Sequence, residues 1–170
     1  MAKLAGWLLA LPRPAAWGLC AAWCGLITWS SSRAASVEPS PWWWSIFTNG
    51  AHAPLFGLLA CWIALLVPRE RGWPVLGAAT RLGVCAAIAL LGIADELHQS
   101  TVPGRDLSVL DVLTDVAGAA VSLELVAHLG TPGRSAASLG VRLALAAATS
   151  LACGALATWV PVCFPGVGWF

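Results

Sequence analysis

The sequence predicts an all-α fold, a polytopic membrane bundle of about five transmembrane helices in a single domain over residues 1–170, with a cytoplasmic N-terminus. Three observations predict it. Hydrophobic residues make up 59% of the chain, and the mean hydropathy is +0.80. Nine Lys or Arg and eight Asp or Glu amount to 10% of residues, where a water-soluble domain carries about a quarter, so the charges cannot cover a globular surface. The apolar residues also gather into five stretches near the length, about 20 residues, that a helix needs to cross hydrocarbon. The same hydrophobicity excludes intrinsic disorder. A net charge of +1 leaves no electrostatic basis for binding nucleic acid.

The first stretch, about Ala15 to Ser30, follows Lys3 and the Pro12-Arg13-Pro14 punctuation. A cleaved signal peptide would read Lys3 as its basic end and Arg33-Ala34-Ala35 as its small-residue site, but the hydrophobicity downstream calls for an anchored first helix anyway. Residues 31–47, rich in Ser and Pro, read as the longest linker. The second stretch runs from about Ala51 to Val67 and stops at Pro68-Arg69-Glu70-Arg71. The third starts near Arg81, the fourth near Leu107, and the fifth covers about Leu139 to Val160. No internal repeat or low-complexity tract is visible. Cys20, Cys24, Cys61, Cys85 and Cys153 lie inside apolar stretches and Cys163 in the tail. Without a CxxC pair or a Cys/His zinc spacing, all six read as small packing residues.

Basic residues in short loops set orientation. With the N-terminus inside, the inner side receives Lys3, Arg13, Arg69, Arg71, Arg81, Arg134 and Arg142, and the outer side only Arg33 and Arg105. Trp29, Trp42, Trp43, Trp44, Trp159 and Trp169 fall at the outer boundary and Trp17 and Trp73 at the inner one, while Trp23 and Trp62 fall mid-span as packing residues. The expected location is therefore a bacterial cytoplasmic membrane, crossed several times, with the C-terminus outside.

The carboxylates do not follow the basic residues. Five of the eight, Asp95, Glu96, Asp106, Asp111 and Asp115, lie between positions 95 and 115. The uncharged run Leu82 to Ala94 gives only about 20 Å of helix against a core about 30 Å thick, so the third helix must continue through Glu96 and Gln99. A fourth helix starting at Leu107 carries Asp111 about 6 Å and Asp115 about 12 Å along its axis. Carboxylates at that depth cost about 2.5–3.5 kcal/mol each and face a cavity or a partner. Glu96 and Gln99 share a face, extended inward by Gly92, Ala89 and Cys85. Asp111, Asp115, Gly118 and Ser122 form a polar, small stripe that permits close helix approach. His52 opens the second span on the same outer side. The expected pocket thus gathers His52, Glu96, Gln99, Arg105, Asp111 and Asp115 from three helix ends.

Plainer roles stand beside these. Ser108 reads as a cap of the fourth helix with Asp111 in its first turn, and Gly104 after Pro103 as a tight turn. Arg105 is either a counter-ion to a carboxylate or a clamp on a ligand. Asp95 and His98 are expected in solvent, and Glu124 and His128 at the inner interface.

Taken together, Asp95-Glu96-Leu97-His98-Gln99, Pro103-Gly104-Arg105, Ser108, Asp111, Asp115 and Gly118, with His52 upstream, resemble the signature of the VanZ-like family of small bacterial membrane proteins. The resemblance covers about residues 28–126 and leaves the fifth helix, about 139–160, outside it. Three positions depart from the family pattern. Thr48 and Asn49 stand where the family carries an Asp-Lys pair, and Asp115 where it carries Asn. The resemblance implies a membrane location, an envelope role and a link to glycopeptide (teicoplanin-type) tolerance, with no reaction attached.

Three kinds of function follow from these residues. In the first, an outward-facing pocket binds or processes an anionic envelope amphiphile, lipid-linked or glycopeptide in type. Arg105, Gln99 and Asp115 would hold the substrate, and Glu96, Asp111 and His52 would act as acid, base and proton carrier wherever chemistry occurs. In the second, Asp111 and Asp115 relay protons in a transporter, although no inverted repeat supports it. In the third, a metal sits among His52, Glu96, His98 and Asp111. Because no H-E-x-x-H pattern is present and the ligands would come from three helices, neither a metal nor a cofactor is expected. The bilayer is the expected partner, and the oligomeric state is left open.

Overall fold

The computed structural model describes residues 11–34, 41–70, 72–131 and 135–163. Lys3, Ala35, Arg71, Arg134 and Trp169 lie outside the described residues. Within them the chain forms five helices, α1 (Arg13–Ser31), α2 (Trp42–Ala64), α3 (Ala78–Gln99), α4 (Val109–Gly130) and α5 (Ala136–Cys163). Between α2 and α3, β1 (Arg69–Glu70) and β2 (Trp73–Pro74) pair antiparallel. Three helices are long and apolar enough to cross a membrane: α2, α3 and, over Ala137–Pro161, α5.

The distribution of exposure is that of a protein solvated by lipid. Leu82 is 72% exposed, Leu90 70% and Leu151 64%, while Glu96 and Asp115 are 1% exposed. Bare leucines in water would form an aggregating apolar patch; facing acyl chains they need no cover, and the polar groups turn inward.

Most helix starts agree with the sequence pattern, and the departures have physical reasons. Pro14 stands in the first turn of α1, where no backbone donor is needed. The second helix begins at Trp42, nine residues before the expected boundary, and shortens the 31–47 linker. Pro41 stands at its N-cap. Trp42, Trp43, Trp44 and Phe47 are all more than 40% exposed and suit the headgroup layer as a helical turn. His52 therefore lies ten residues, about 15 Å, into α2 and does not open it. The hairpin was not expected from sequence. It turns at Gly72, whose φ is +79°, and Trp73 donates from Nε1 to the Val126 carbonyl at 3.0 Å, pinning the end of α4.

Helix α2 is the hub of the bundle, packing chiefly on α4 and α5. The contact with α4 is close because its residues are small. A Cβ on Gly118 would meet the Ala53 backbone, with Cα and C at 2.6 Å and the carbonyl oxygen nearer still, and one on Gly57 would meet the Ser122 hydroxyl. The contact with α5 repeats the device, Gly50 lying on the Ser150 carbonyl and Gly154 on Gly50 and the Ile46 carbonyl. Beneath the rim, Ile27, Phe56, Leu59, Ile88, Ala119 and Leu123 form the apolar core. On α3 the buried face is Val84, Ile88, Gly92, Asp95, Glu96 and Gln99. Gly92 is on it as expected, but Cys85 and Ala89 fall on its flank, half-buried.

Trp23 is a packing residue, donating from Nε1 to the Leu55 carbonyl at 2.9 Å. All six cysteines are free. At the end of the bundle opposite the acidic segment, Glu124 pairs with Arg81 and stands 3.9 Å from Arg142, joining α3, α4 and α5. His128 meets the Ser138 hydroxyl at 3.0 Å.

Candidate functional site

The C-terminal ends of α1 and α3 and the N-terminal ends of α2 and α4 meet at one rim, and the acidic segment lies there. Its polar side chains divide into two groups.

The inner group holds His52, Glu96, Asp111 and Asp115. Asp115 comes from the second turn of α4, and its Oδ1 stands 3.1 Å from His52 Nδ1. A Cβ on residue 92 would lie 2.6 Å from Asp115 Oδ2, so glycine there makes the room in which this carboxylate sits. An ionised carboxylate only accepts, so in this contact the His52 Nδ1–H donates. Glu96 Oε2 accepts from the Ser108 backbone N–H at 2.6 Å. Ser108 also caps α4, its hydroxyl accepting from the Asp111 N–H at 3.2 Å. One serine therefore locks the third helix to the start of the fourth. Glu96 Oε1 and Asp111 Oδ1 are both buried and neither has a hydrogen-bond partner. One ligand atom each from His52, Glu96 and Asp111 lies within 4.8 Å of the others.

The outer group is a relay. Arg105 donates from Nη1 to Gln99 Oε1 at 3.0 Å, and Gln99 Nε2 donates to Asp95 Oδ2 at 2.8 Å. The Ser31 hydroxyl of α1 donates to the same Asp95 oxygen at 2.9 Å. Gly104, with φ at +77°, turns the chain after Pro103, and Arg105 Nε reaches the Arg33 carbonyl at 3.4 Å. Among the described residues Arg105 thus neither pairs with a carboxylate nor stands free; it is held by two neutral oxygens. A cleft of about 180 Å³ opens beside this group, lined by His52, Asp95, Gln99 and Arg105 at its polar end and by apolar residues that include Ile27, Leu55 and Phe56.

Of the six residues expected to share a pocket, four form the inner group, and Gln99 and Arg105 stand in the outer one. Asp95, expected in solvent, is 8% exposed. Its spacing to Gln99, four residues along one helix, was a usable signal; the Ser31 contact crosses 64 positions and was not. His98, also expected in solvent, is half-buried. It bonds the Ser32 hydroxyl at 2.9 Å and stands outside the ligand cluster.

A family model described as VanZ/LLP1 matches residues 7–129. The chain belongs to the VanZ/LLP1 family. The matched region contains α1 to α4 and every residue of both polar groups, and α5 lies outside it. No curated protein and no solved structure matches the chain. Where the VanZ-like pattern carries a charged pair, Thr48 turns its hydroxyl back to the Trp44 carbonyl at 3.0 Å. Asn49 donates to Thr158 on α5 at 3.2 Å. The second departure has therefore become an attachment point for the helix that the VanZ/LLP1 region lacks. The third, Asp115, supplies the carboxylate that orients His52.

Proposed function

We propose that this VanZ/LLP1 membrane protein binds the anionic headgroup of an envelope amphiphile at the rim cleft. The observation that carries the reading is the cleft itself, which sets Arg105, Gln99 and His52 over an apolar wall of Ile27, Leu55 and Phe56. A guanidinium held by two neutral acceptors keeps its charge available, and its planar fork suits phosphate or carboxylate. The inner carboxylates Glu96, Asp111 and Asp115 do not line the cleft, and Asp95, which does, already accepts from Ser31 and Gln99, so Arg105 and the imidazole are the groups left to meet an anion. Where the ligand is processed as well as bound, Glu96, Asp111 and His52 are the acid–base set.

In the same reading the chain crosses a bacterial plasma membrane five times, with the cleft outward and the N-terminus in the cytoplasm. The basic residues support this: among the described ones, Arg13, Arg69, Arg81 and Arg142 belong to the end opposite the cleft, and Arg33 and Arg105 to the cleft end. An outward site for lipid-tailed anions is also consistent with tolerance to glycopeptides of the teicoplanin type.

Titration of nanodisc-embedded protein with dodecyl phosphate tests the binding, using dodecylphosphocholine as the zwitterionic control. A charge-assisted hydrogen bond contributes about 1.5–3 kcal/mol, so Arg105→Gln is expected to weaken phosphate binding by roughly 10- to 100-fold and to leave the control unchanged. Equal binding by wild type and variant would refute it.

A further inference from the structure

We infer that His52, Glu96 and Asp111 form a binding site for one divalent transition-metal ion, with Asp115 orienting His52 from behind. From the sequence alone no metal is expected, and it is the geometry that points to one. The inference does not depend on the amphiphile reading, because it rests on the buried carboxylates of the inner group, and His52 is the one residue it shares with the cleft.

The first ground is the unpartnered oxygens. Glu96 is 1% exposed, and its Oε1 and the Asp111 Oδ1 are buried without a donor. Among the described residues no Arg or Lys forms an ion pair with either carboxylate, and Arg105 spends its contacts on Gln99 and the Arg33 carbonyl. Buried carboxylate oxygens without a donor in a low-dielectric site favour a cation as their partner.

The second ground is the imidazole. Metal-bound histidines nearly always donate their other ring N–H to a carboxylate or carbonyl, which fixes the tautomer and the ring plane. Asp115, at 3.1 Å from Nδ1 and seated against Gly92, is such a partner. Glu96 is held likewise, its Oε2 fixed by the Ser108 N–H while Oε1 remains for the ion.

The third ground is spacing and donor type. The three ligand atoms lie within 4.8 Å of one another. Ligands about 2.0–2.2 Å from a metal stand about 3–3.5 Å apart, so small side-chain rotations complete the site. One imidazole nitrogen with two carboxylate oxygens suits Zn²⁺ or Mn²⁺, whereas Mg²⁺ and Ca²⁺ favour oxygen-only shells. Each ligand comes from a different helix, so the ion would also tie α2, α3 and α4 together at the rim.

The test uses the full chain in nanodiscs of zwitterionic lipid, stripped with chelator and titrated with Mn²⁺ under electron paramagnetic resonance. One saturable equivalent is expected, with a concentration-dependent rise in the unfolding temperature. Glu96→Gln and Asp111→Asn remove buried charge without changing shape, so they should fold at least as well as wild type yet lose the equivalent. Asp115→Asn should weaken binding by about 10- to 100-fold, and His98→Ala should leave it intact. On the wild type alone, spin-echo modulation of the bound Mn²⁺ should report one coordinated imidazole nitrogen.

Absence of a saturable equivalent, no coordinated nitrogen, full binding by Glu96→Gln and Asp111→Asn, or saturation by Mg²⁺ and Ca²⁺ only would overturn the inference. None of these results bears on dodecyl phosphate binding at Arg105, so the two readings fail separately.

Discussion

Replacing Gly118 by alanine adds one methyl group at the tightest crossing in the bundle. Glycine is ordinarily the poorer helix residue by about 0.5–1 kcal/mol relative to alanine, so propensity alone predicts stabilisation. The packing predicts the reverse. The new carbon would stand 2.6 Å from the Ala53 Cα and nearer still to its carbonyl oxygen, and ordinary contact begins at 3.4 Å, so α2 and α4 must part by at least about 0.8 Å. Backbone cannot rotate aside, and overpacking of this kind costs about 1–3 kcal/mol. Because His52 adjoins Ala53, the same separation stretches the 3.1 Å contact to Asp115 to nearly 4 Å, out of hydrogen-bonding range. Gly83→Ala in α3 is the matched control, since nothing lies within 4 Å of its Cβ position. Equilibrium denaturation in mixed micelles, followed by circular dichroism, should show Gly118→Ala destabilised by about 1–1.5 kcal/mol net and Gly83→Ala unchanged or slightly stabilised. A Gly118→Ala protein as stable as wild type would refute the close α2–α4 crossing and the placement of His52 that depends on it.

Other perturbations separate site from scaffold. Gly92→Ala sets a carbon 2.6 Å from Asp115 Oδ2, the end of a side chain that can turn away; stability should change by less than about 1 kcal/mol while Mn²⁺ binding falls, and unaltered binding would count against the seat. Ser108→Ala removes the α4 cap and should cost about 1 kcal/mol in the same denaturation assay, whereas Ser108→Asp should restore most of it. Asp106→Cys, at an exposed position on the cleft side, should react in intact cells with a membrane-impermeant maleimide, and protection until lysis would reverse the proposed orientation.

Much of the architecture was legible because lipid imposes simple constraints. Five helices follow from hydropathy and length, and the approach of Asp111 and Asp115 to His52 and Glu96 follows from helical spacing plus the cost of a lone carboxylate at depth. The start of α2 was misread because Trp42-Trp43-Trp44-Ser45 sits beside a Pro- and Ser-rich run, and only Pro41 separates linker from helix. The hairpin escaped notice because its strands are two residues each, too short for any periodicity. Asp95 was assigned to water because its partner Ser31 lies on α1, and pairing across helices leaves no trace in local pattern. Arg105 was expected near the carboxylates; the turn at Pro103-Gly104 aims it instead at Gln99 and the Arg33 carbonyl.

The account rests on polar side chains from α2, α3 and α4 meeting inside the bundle. Solid-state NMR of the protein in bilayers, with ¹⁵N-histidine and ¹³C-aspartate labels, measures that meeting directly through dipolar recoupling. The account predicts strong recoupling between His52 Nδ1 and one aspartate carboxyl, matching the 3.1 Å nitrogen–oxygen separation and abolished by Asp115→Ala. A His52 signal with no carboxyl recoupling in wild type, or with recoupling that survives Asp115→Ala, would contradict it.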